Sequence, residues 1–195
     1  MTSADSSTSI LLHTPLYDRE IALGARMTTF SGWEMPVQFS GLTPEHEAIR
    51  DRVGMFDISH MGKFTLRGES AIAQLQNLVP SDLSRLRSGQ AQYTVLLNHQ
   101  AGIIDDIIVY QQGEGNVLII VNAGTRDKDK DWLLAHLDTN LVEFQDLSAQ
   151  QALIAVQGPE TLRHLQPLVD IDLSQLANFG HSRALIFKNP ALIAR

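Results

Sequence analysis

Residues 92–122 read QYTVLLNHQAGIIDDIIVYQQGEGNVLIIVN, and the fold turns on this stretch. Three runs rich in β-branched and aliphatic residues, Gln92–Leu97, Ile103–Tyr110 and Asn116–Asn122, are divided by two turn-rich breaks at Asn98–Gly102 and Gly113–Gly115. Breaks this short join neighbours that run in opposite directions, so the spacing predicts three consecutive antiparallel strands. Upstream, Phe64 and Leu66 alternate with Lys63, Thr65 and Arg67, the period of a half-buried strand. Gly68 then leads into a helix whose Ile72, Leu75, Leu78 and Val79 form one apolar stripe, closed by Pro80. Downstream, Thr125 is placed to cap a helix with Asp127 and Asp129 early and Trp132, Leu133 and Leu137 on its buried side. A further strand runs from Leu141 to about Phe144. The order strand, helix, three antiparallel strands, helix, strand predicts an α+β chain of split βαβ, ferredoxin-like layers with antiparallel sheets covered by helices.

Further out, Thr43 is positioned as a helix cap, with Pro44 at the first helical position and Glu45 and Glu47 in the first turn. Ile49 and Val53 would share one side of that helix and Gly54 would end it. On the other flank, the apolar run Ala152–Val156, then Gly158 and Pro159, precede a helix carrying Leu162, Leu165 and Leu168. This is the pattern of a second layer of the same class. Ala191–Ile193 is apolar and reaches Arg195 without a turn or cap signal, which predicts a strand with an unpaired edge in a chain cut short.

The bulk composition excludes several classes. A chain of 195 residues with 44% hydrophobic and 19% charged residues can bury a good-sized core. Fifteen basic against twenty-two acidic residues give a net charge of -7, a poor surface for a polyphosphate partner, so nucleic acid is not expected. Cysteine is absent, which removes disulfides and thiolate metal sites. The opening MTSADSSTSI has no basic residue and no apolar block, unlike a secretory or mitochondrial leader, and residues 1–10 read as a disordered tail. Aliphatic runs such as Val117–Val121 are too short to span a bilayer. The expectation is a soluble, cytoplasmic protein that uses neither membrane nor nucleic acid.

Phosphate loops, dinucleotide fingerprints, His-Glu-x-x-His and Gly-x-Ser-x-Gly are all missing, and the histidines, His46 and His60 among them, show no metal-ligand spacing. Two adjacent carboxylates, Asp105 and Asp106, sit inside an apolar run. Strand alternation sends one to each face. One of them, held among apolar walls, would have a tunable pKa and suit a proton acceptor; alternatively both lie at an exposed strand start and merely end a hairpin turn. Phe56-Asp57-Ile58-Ser59-His60-Met61-Gly62 collects an acid, a hydroxyl, an imidazole and a thioether at a helix-to-strand junction, a composition as common in turns as in cavities. Tyr93 and Asn122 lie on strands beside the acidic pair. Tyr93 could stack on a planar ring or pack as a strand aromatic, and Asn122 could bind a ligand or cap the strand's exit. Trp33 reads as a packing anchor.

Taken together, several segments resemble the T-proteins of the glycine cleavage system in order and spacing. They are Thr14-Pro15-Leu16, Gly32-Trp33-Glu34-Met35-Pro36, Val53–Gly62, Gln90-Ala91-Gln92-Tyr93, Gly102-Ile103-Ile104-Asp105-Asp106, Val121-Asn122-Ala123 and Gln157-Gly158-Pro159. The likeness runs from about Leu11 onward and matches the N-terminal portion of that family only. It implies a three-domain folate-binding cloverleaf, with 11–56 and 147–195 forming an incomplete first folate-binding subdomain, 57–146 a second α+β subdomain, and the C-terminal barrel domain absent. It implies an aminomethyltransferase that passes the methylene of an aminomethyl group, carried on lipoylated H-protein, to tetrahydrofolate with release of ammonia. The family's principal carboxylate matches Asp106, and its folate-contacting positions match Met61, Tyr93, Asp106 and Asn122. No metal is implied. A desolvated Asp106 would hold the pterin and help N5 shed its proton.

Ala101 stands where the family usually has the first glycine of a Gly-Gly turn, a mild departure, and Gly124 is likewise a small one. The family's Thr-Gly-Tyr-Thr-Gly-Glu segment and later folate contacts have no counterpart here, so impaired transfer and weak folate binding are expected of the chain. Two related readings stay open: the folate-binding module of a sarcosine or dimethylglycine demethylase, and a non-catalytic folate-binding relative from iron–sulfur cluster assembly.

Overall fold

A computed structural model describes residues 10–195. The expected tail at 1–10 lies, apart from Ile10, outside the described residues. The chain opens with α1 (Tyr17–Ala22), the hairpin β1 (Arg26–Phe30) and β2 (Trp33–Gln38), α2 (Leu42–Asp51) and β3 (Gly54–Asp57). The central block follows: β4 (Gly62–Arg67), α3 (Ala71–Gln76), β5 (Gln90–Leu97), β6 (Ile103–Gly113), β7 (Asn116–Val121), α4 (Arg126–His136) and β8 (Glu143–Asp146). Then come β9 (Ile154–Gln157), α5 (Thr161–Leu165), β10 (His181–Ile186) and β11 (Asn189–Ala194).

The central block folds as its sequence order predicts. Five antiparallel strands lie in the order β5-β6-β7-β4-β8. Without the edge strand β5, this is the ferredoxin-like arrangement, in which the two halves of the unit interleave. Register decides the faces. Phe64 pairs with Ile119, Leu66 with Val117, and Val109 with Ile119, so these side chains share one surface. Ala71 and Leu75 of α3 and Leu133 of α4, with Leu137 at its C-cap, close over them, and nearly all of this set is fully buried. Gly62 is required at the sheet's end: a Cβ there would meet Val121 Cγ2 at 2.4 Å and Arg126 Cγ at 2.8 Å.

The opposite face carries Tyr93, Val95, Asp106, Ile108, Tyr110, Leu118, Ile120, Lys63 and Thr65, and the flanking segments cover part of it. The expectation of a half-buried β4 is therefore corrected. As an inner strand covered on both sides, it buries Lys63 and Thr65 as completely as Phe64. Lys63 is accommodated because its Nζ donates to the carbonyls of Ser59 at 2.7 Å and Met61 at 2.8 Å. Tyr110 meets the His181 ring edge-on at 5.4 Å, and His181 Nε2 lies 3.1 Å from the Gln111 carbonyl, tying β10 to the sheet.

The flanks depart further from expectation. Thr43 is not the cap of α2. The N-cap is Gly41, and Oε1 of Glu45 accepts the N–H groups of Phe39, Ser40 and Gly41 at 2.6–2.8 Å. One carboxylate reaching back satisfies the three backbone donors of the turn that leads into the helix. Those backbone hydrogen bonds, led by that of Gly41, hold Glu45 below its usual pKa. Gly54 does not end α2; it opens β3, which pairs antiparallel with β9. Thr125 does occupy the N-cap of α4, but its hydroxyl makes no cap bond and turns to Asp105. Residues 191–193 belong to β11, which pairs along its whole length with β10 through a turn at Phe187 and Lys188, both at positive φ. Neither β10 nor the β1–β2 hairpin was legible in advance.

Candidate functional site

Strand β6 presents Asp105 and Asp106 opposite Leu96 and Val95 of β5. Pleating sends Asp105 to the helix-covered face, where it is half-buried, and Asp106 to the other face, where it is exposed. Asn122, the first residue beyond β7, spans the sheet end between them. Its Nδ2 donates to Asp105 Oδ1 at 3.1 Å and to Asp106 Oδ1 at 3.0 Å. Tyr93 is on the same face as Asp106, one strand over and 50% exposed. Hydrogen bonding to Asp106 raises its phenol above the usual value. Gly62 pairs with Val121, so Met61, one residue earlier, lies alongside Asn122 at the same end of the sheet.

The structure thus brings Tyr93, Asp106 and Asn122 into one group with Met61 at its margin. It corrects one expectation about that group. Asp106 is not the desolvated carboxylate, because α3 and α4 cover the other face. The enclosed member of the pair is Asp105. Burial pushes its pKa up, but hydrogen bonds from Thr125, Asp129 and Asn122 more than offset this and hold it low. The Thr125 hydroxyl donates to Asp105 Oδ2 at 2.6 Å.

Asp129 was missed as a polar group with a role. It is fully buried on α4, and burial followed by its hydrogen bond with Asp105 raises its carboxyl to about 7. The signal was present: Asp129, Leu133 and Leu137 recur every four residues, so the aspartate lies on the stripe that faces the core. A second enclosed carboxyl, Glu20 of α1, is raised to about 7, mainly by burial and then by the charge of Asp57. Glu20 and Asp57 line a cavity of about 720 Å³ whose walls are mostly apolar, Phe39, Met55, Phe56 and Ile154 among them, with Arg19, Gln38 and Glu45 as further polar members. Neither Asp106 nor Tyr93, Asn122 or Met61 borders it. His60 packs edge-on to Phe30 at 5.6 Å with its pKa lowered chiefly by burial, and Trp33 approaches the same ring at 6.5 Å, consistent with a packing anchor.

Residues 16–195 match the family described as the GCVT N-terminal domain. The chain belongs to that family. It is 58% identical to an aminomethyltransferase of Nostoc over all of its own length and 53% of the relative's, and 60% identical to one of Rippkaea orientalis over 96% of its length and 52% of the relative's. It therefore spans about half the length of the curated relatives it matches. Among solved structures, the glycine cleavage system aminomethyltransferase T of Bartonella henselae superposes with a TM-score of 0.82 at 31% identity, over 88% of this chain and 47% of that one. A heterotetrameric sarcosine oxidase of Corynebacterium matches with a TM-score of 0.58 at 17% identity, over 78% of this chain and 76% of that one; this likeness extends to the fold alone. The sheet and its site group lie entirely within the matched residues.

Proposed function

We propose that this chain supplies the tetrahydrofolate-holding part of an aminomethyltransferase of the glycine cleavage system, with lipoylated H-protein as the donor of the methylene unit. The observation that carries the reading is the convergence of Tyr93, Asp106 and Asn122 at one end of the sheet, in a chain more than half identical to aminomethyltransferases. The group fits a reduced pterin. Such a ring offers an edge of N–H donors that a carboxylate can accept and a flat face on which a tyrosine can lie. Asp106 is the acceptor with a free approach, and Asn122 fixes its direction. Because Asp106 is exposed, its drying falls to the bound substrate and to polypeptide that the longer relatives have in addition.

In that role Asp106 accepts the proton released at the pterin nitrogen as it attacks the methylene carbon. General base assistance of this kind is worth about 10²- to 10⁴-fold, or roughly 3–5 kcal/mol of barrier. We place the first subsidiary layer at 11–56 with 147–195, a grouping supported by the β3–β9 pair, and the second at 57–146, where the five-stranded sheet lies.

The test is a chimera in which residues 10–195 replace the matching half of the Nostoc aminomethyltransferase. We expect methylene transfer from aminomethylated H-protein to tetrahydrofolate, with Asp106→Asn reducing it about 10²-fold or more while circular dichroism stays unchanged. A folded chimera that binds no folate, or an Asp106→Asn variant with full turnover, would overturn the reading.

A further inference from the structure

Asp129 poses a problem of accounting. Its side chain is fully buried and neither carboxylate oxygen has a hydrogen-bond partner among the described residues, because the one neighbouring hydroxyl, that of Thr125, is given to Asp105 Oδ2 at 2.6 Å. The group it meets is Asp105, another carboxylate, already accepting from Thr125 and Asn122. Two ionised carboxylates are both acceptors and repel, whereas one proton between them makes a short, charge-assisted hydrogen bond. The charged groups facing Asp129 are Asp105 from β6 and Lys128 from its own helix. Lys128 does not resolve the problem, since its exposed ammonium donates to the Ile104 carbonyl at 2.6 Å.

We infer that protonated Asp129 donates its proton to Asp105, and that this buried acid–carboxylate pair is a positioning device for the Tyr93–Asp106–Asn122 group. The connection is continuous. Asp105, with one charge shared over the pair, accepts Asn122 Nδ2 at 3.1 Å on one side of the sheet end, and the same Nδ2 reaches Asp106 Oδ1 at 3.0 Å on the other. Loss of the proton puts a second negative charge beside Asp105. The pair separates, Asp105 shifts off Asn122, and the amide that aims Asp106 loses its second anchor. The raised pKa of Asp129, near 7, puts this transition at physiological pH.

The positioning role rests on the folate reading above; the shared proton does not, and the experiment separates them. In the 195-residue chain, the Asn122 side-chain amide resonances should shift with a midpoint near 7, in step with the Asp129 carboxyl carbon. Asp129→Asn supplies a permanent donor in place of the proton and should leave Asn122 insensitive to pH. A flat Asn122 signal in the parent, or an unchanged titration in Asp129→Asn, overturns the shared proton. Calorimetric titration of the chimera described above with tetrahydrofolate, with and without Asp129→Asn, tests the positioning role. If only the protonated form is competent, affinity falls about tenfold from about pH 6 to about pH 8 in the parent and is level in Asp129→Asn. Equal affinities in the parent at both pH values overturn it. Absence of folate binding at any pH would overturn the proposed function and, with it, the positioning role, while the resonance measurement still decides the proton.

Discussion

The central layer and the flanks of this chain solve the burial problem differently. The five-stranded sheet and its two helices enclose sixteen buried apolar residues, from Phe64 to Val142, that form one continuous cluster. The flanks, of similar chain length, hold three two-stranded sheets and a second cluster of only Leu173, Ala184 and Ile193. Elsewhere in the flanks, Met55 at 70% and Phe187 at 69% are exposed, and a mostly apolar cavity lies against α1 and α2. Interleaved strands give each helix a complete sheet to cover, whereas a two-stranded ribbon has too little surface to bury both of its faces. The contrast explains why the candidate site is anchored where it is. Asp106, Asn122 and Tyr93 all extend from the dense layer, which can hold side-chain geometry, and not from the open one.

The contrast can be broken most directly by mutation in the two cores. Phe64→Ala or Leu75→Ala should cost about 3–5 kcal/mol, because each leaves a cavity among rigid neighbours. Leu173→Ala should cost nearer 2 kcal/mol, since its looser surroundings can collapse. Equal losses in urea unfolding would mean that the flanks are packed as firmly as the sheet. Next in size, Lys63→Met should destabilise by roughly 2–3 kcal/mol despite its added hydrophobicity. It strips the donor from the Ser59 and Met61 carbonyls, in the loop that leads from β3 into β4.

Among the described residues each region also holds one raised carboxyl, which gives a pH comparison. Asp129 moves from an ordinary 3.8 to about 7, and Glu20 from 4.5 to about 7. The unfolded chain ionises first as pH rises, so the fold loses stability from about the ordinary carboxylate value up to about neutrality, and no more beyond it. Asp129→Asn and Glu20→Gln are neutral throughout. Each should therefore leave Tm nearly unchanged in acid and raise it by several degrees at mildly alkaline pH. A gain confined to acid would reverse the sign of the argument.

The smallest effect belongs to the β5–β6 turn. Ala101 takes a φ of 61°, a left-handed conformation that costs a residue with a Cβ about 1 kcal/mol. Ala101→Gly should recover about that amount, less the entropy glycine loses on folding, in the same urea assay. The departure from glycine noted in the sequence is thus a real local strain, small and confined to an exposed turn.

Much of the central layer was legible because its signals are local. The strand marked by Phe64 and Leu66, the breaks around Asn98 and Gly113, and the helix carrying Ile72 and Leu75 each depend on residues a few positions apart, and the structure realises them; α3 ends at Gln76, however, so Leu78 and Val79 are buried beyond the helix they were expected to extend. The short flanking ribbons were harder. The turn between β10 and β11 uses Phe187 and Lys188 at positive φ, residues that carry no turn signature themselves, and the only punctuation there is the Asn189-Pro190 pair that follows them. A hydroxyl before Pro44 fits the cap rule and points to Thr43, whereas the carboxylate of Glu45, the fourth residue of α2, accepts the backbone donors.

The sequence by itself determined the order of elements in the central layer, the adjacency of Tyr93, Asp106 and Asn122 on neighbouring strands, and the split of Asp105 and Asp106 to opposite faces, since strand period and short turns require no knowledge of what packs above them. Only the tertiary structure decided which of the two aspartates is enclosed, because that depends on where α3 and α4 come to rest. It alone brought Asp129 against Asp105, across 24 positions of chain, and so placed a proton where the sequence shows only two acids.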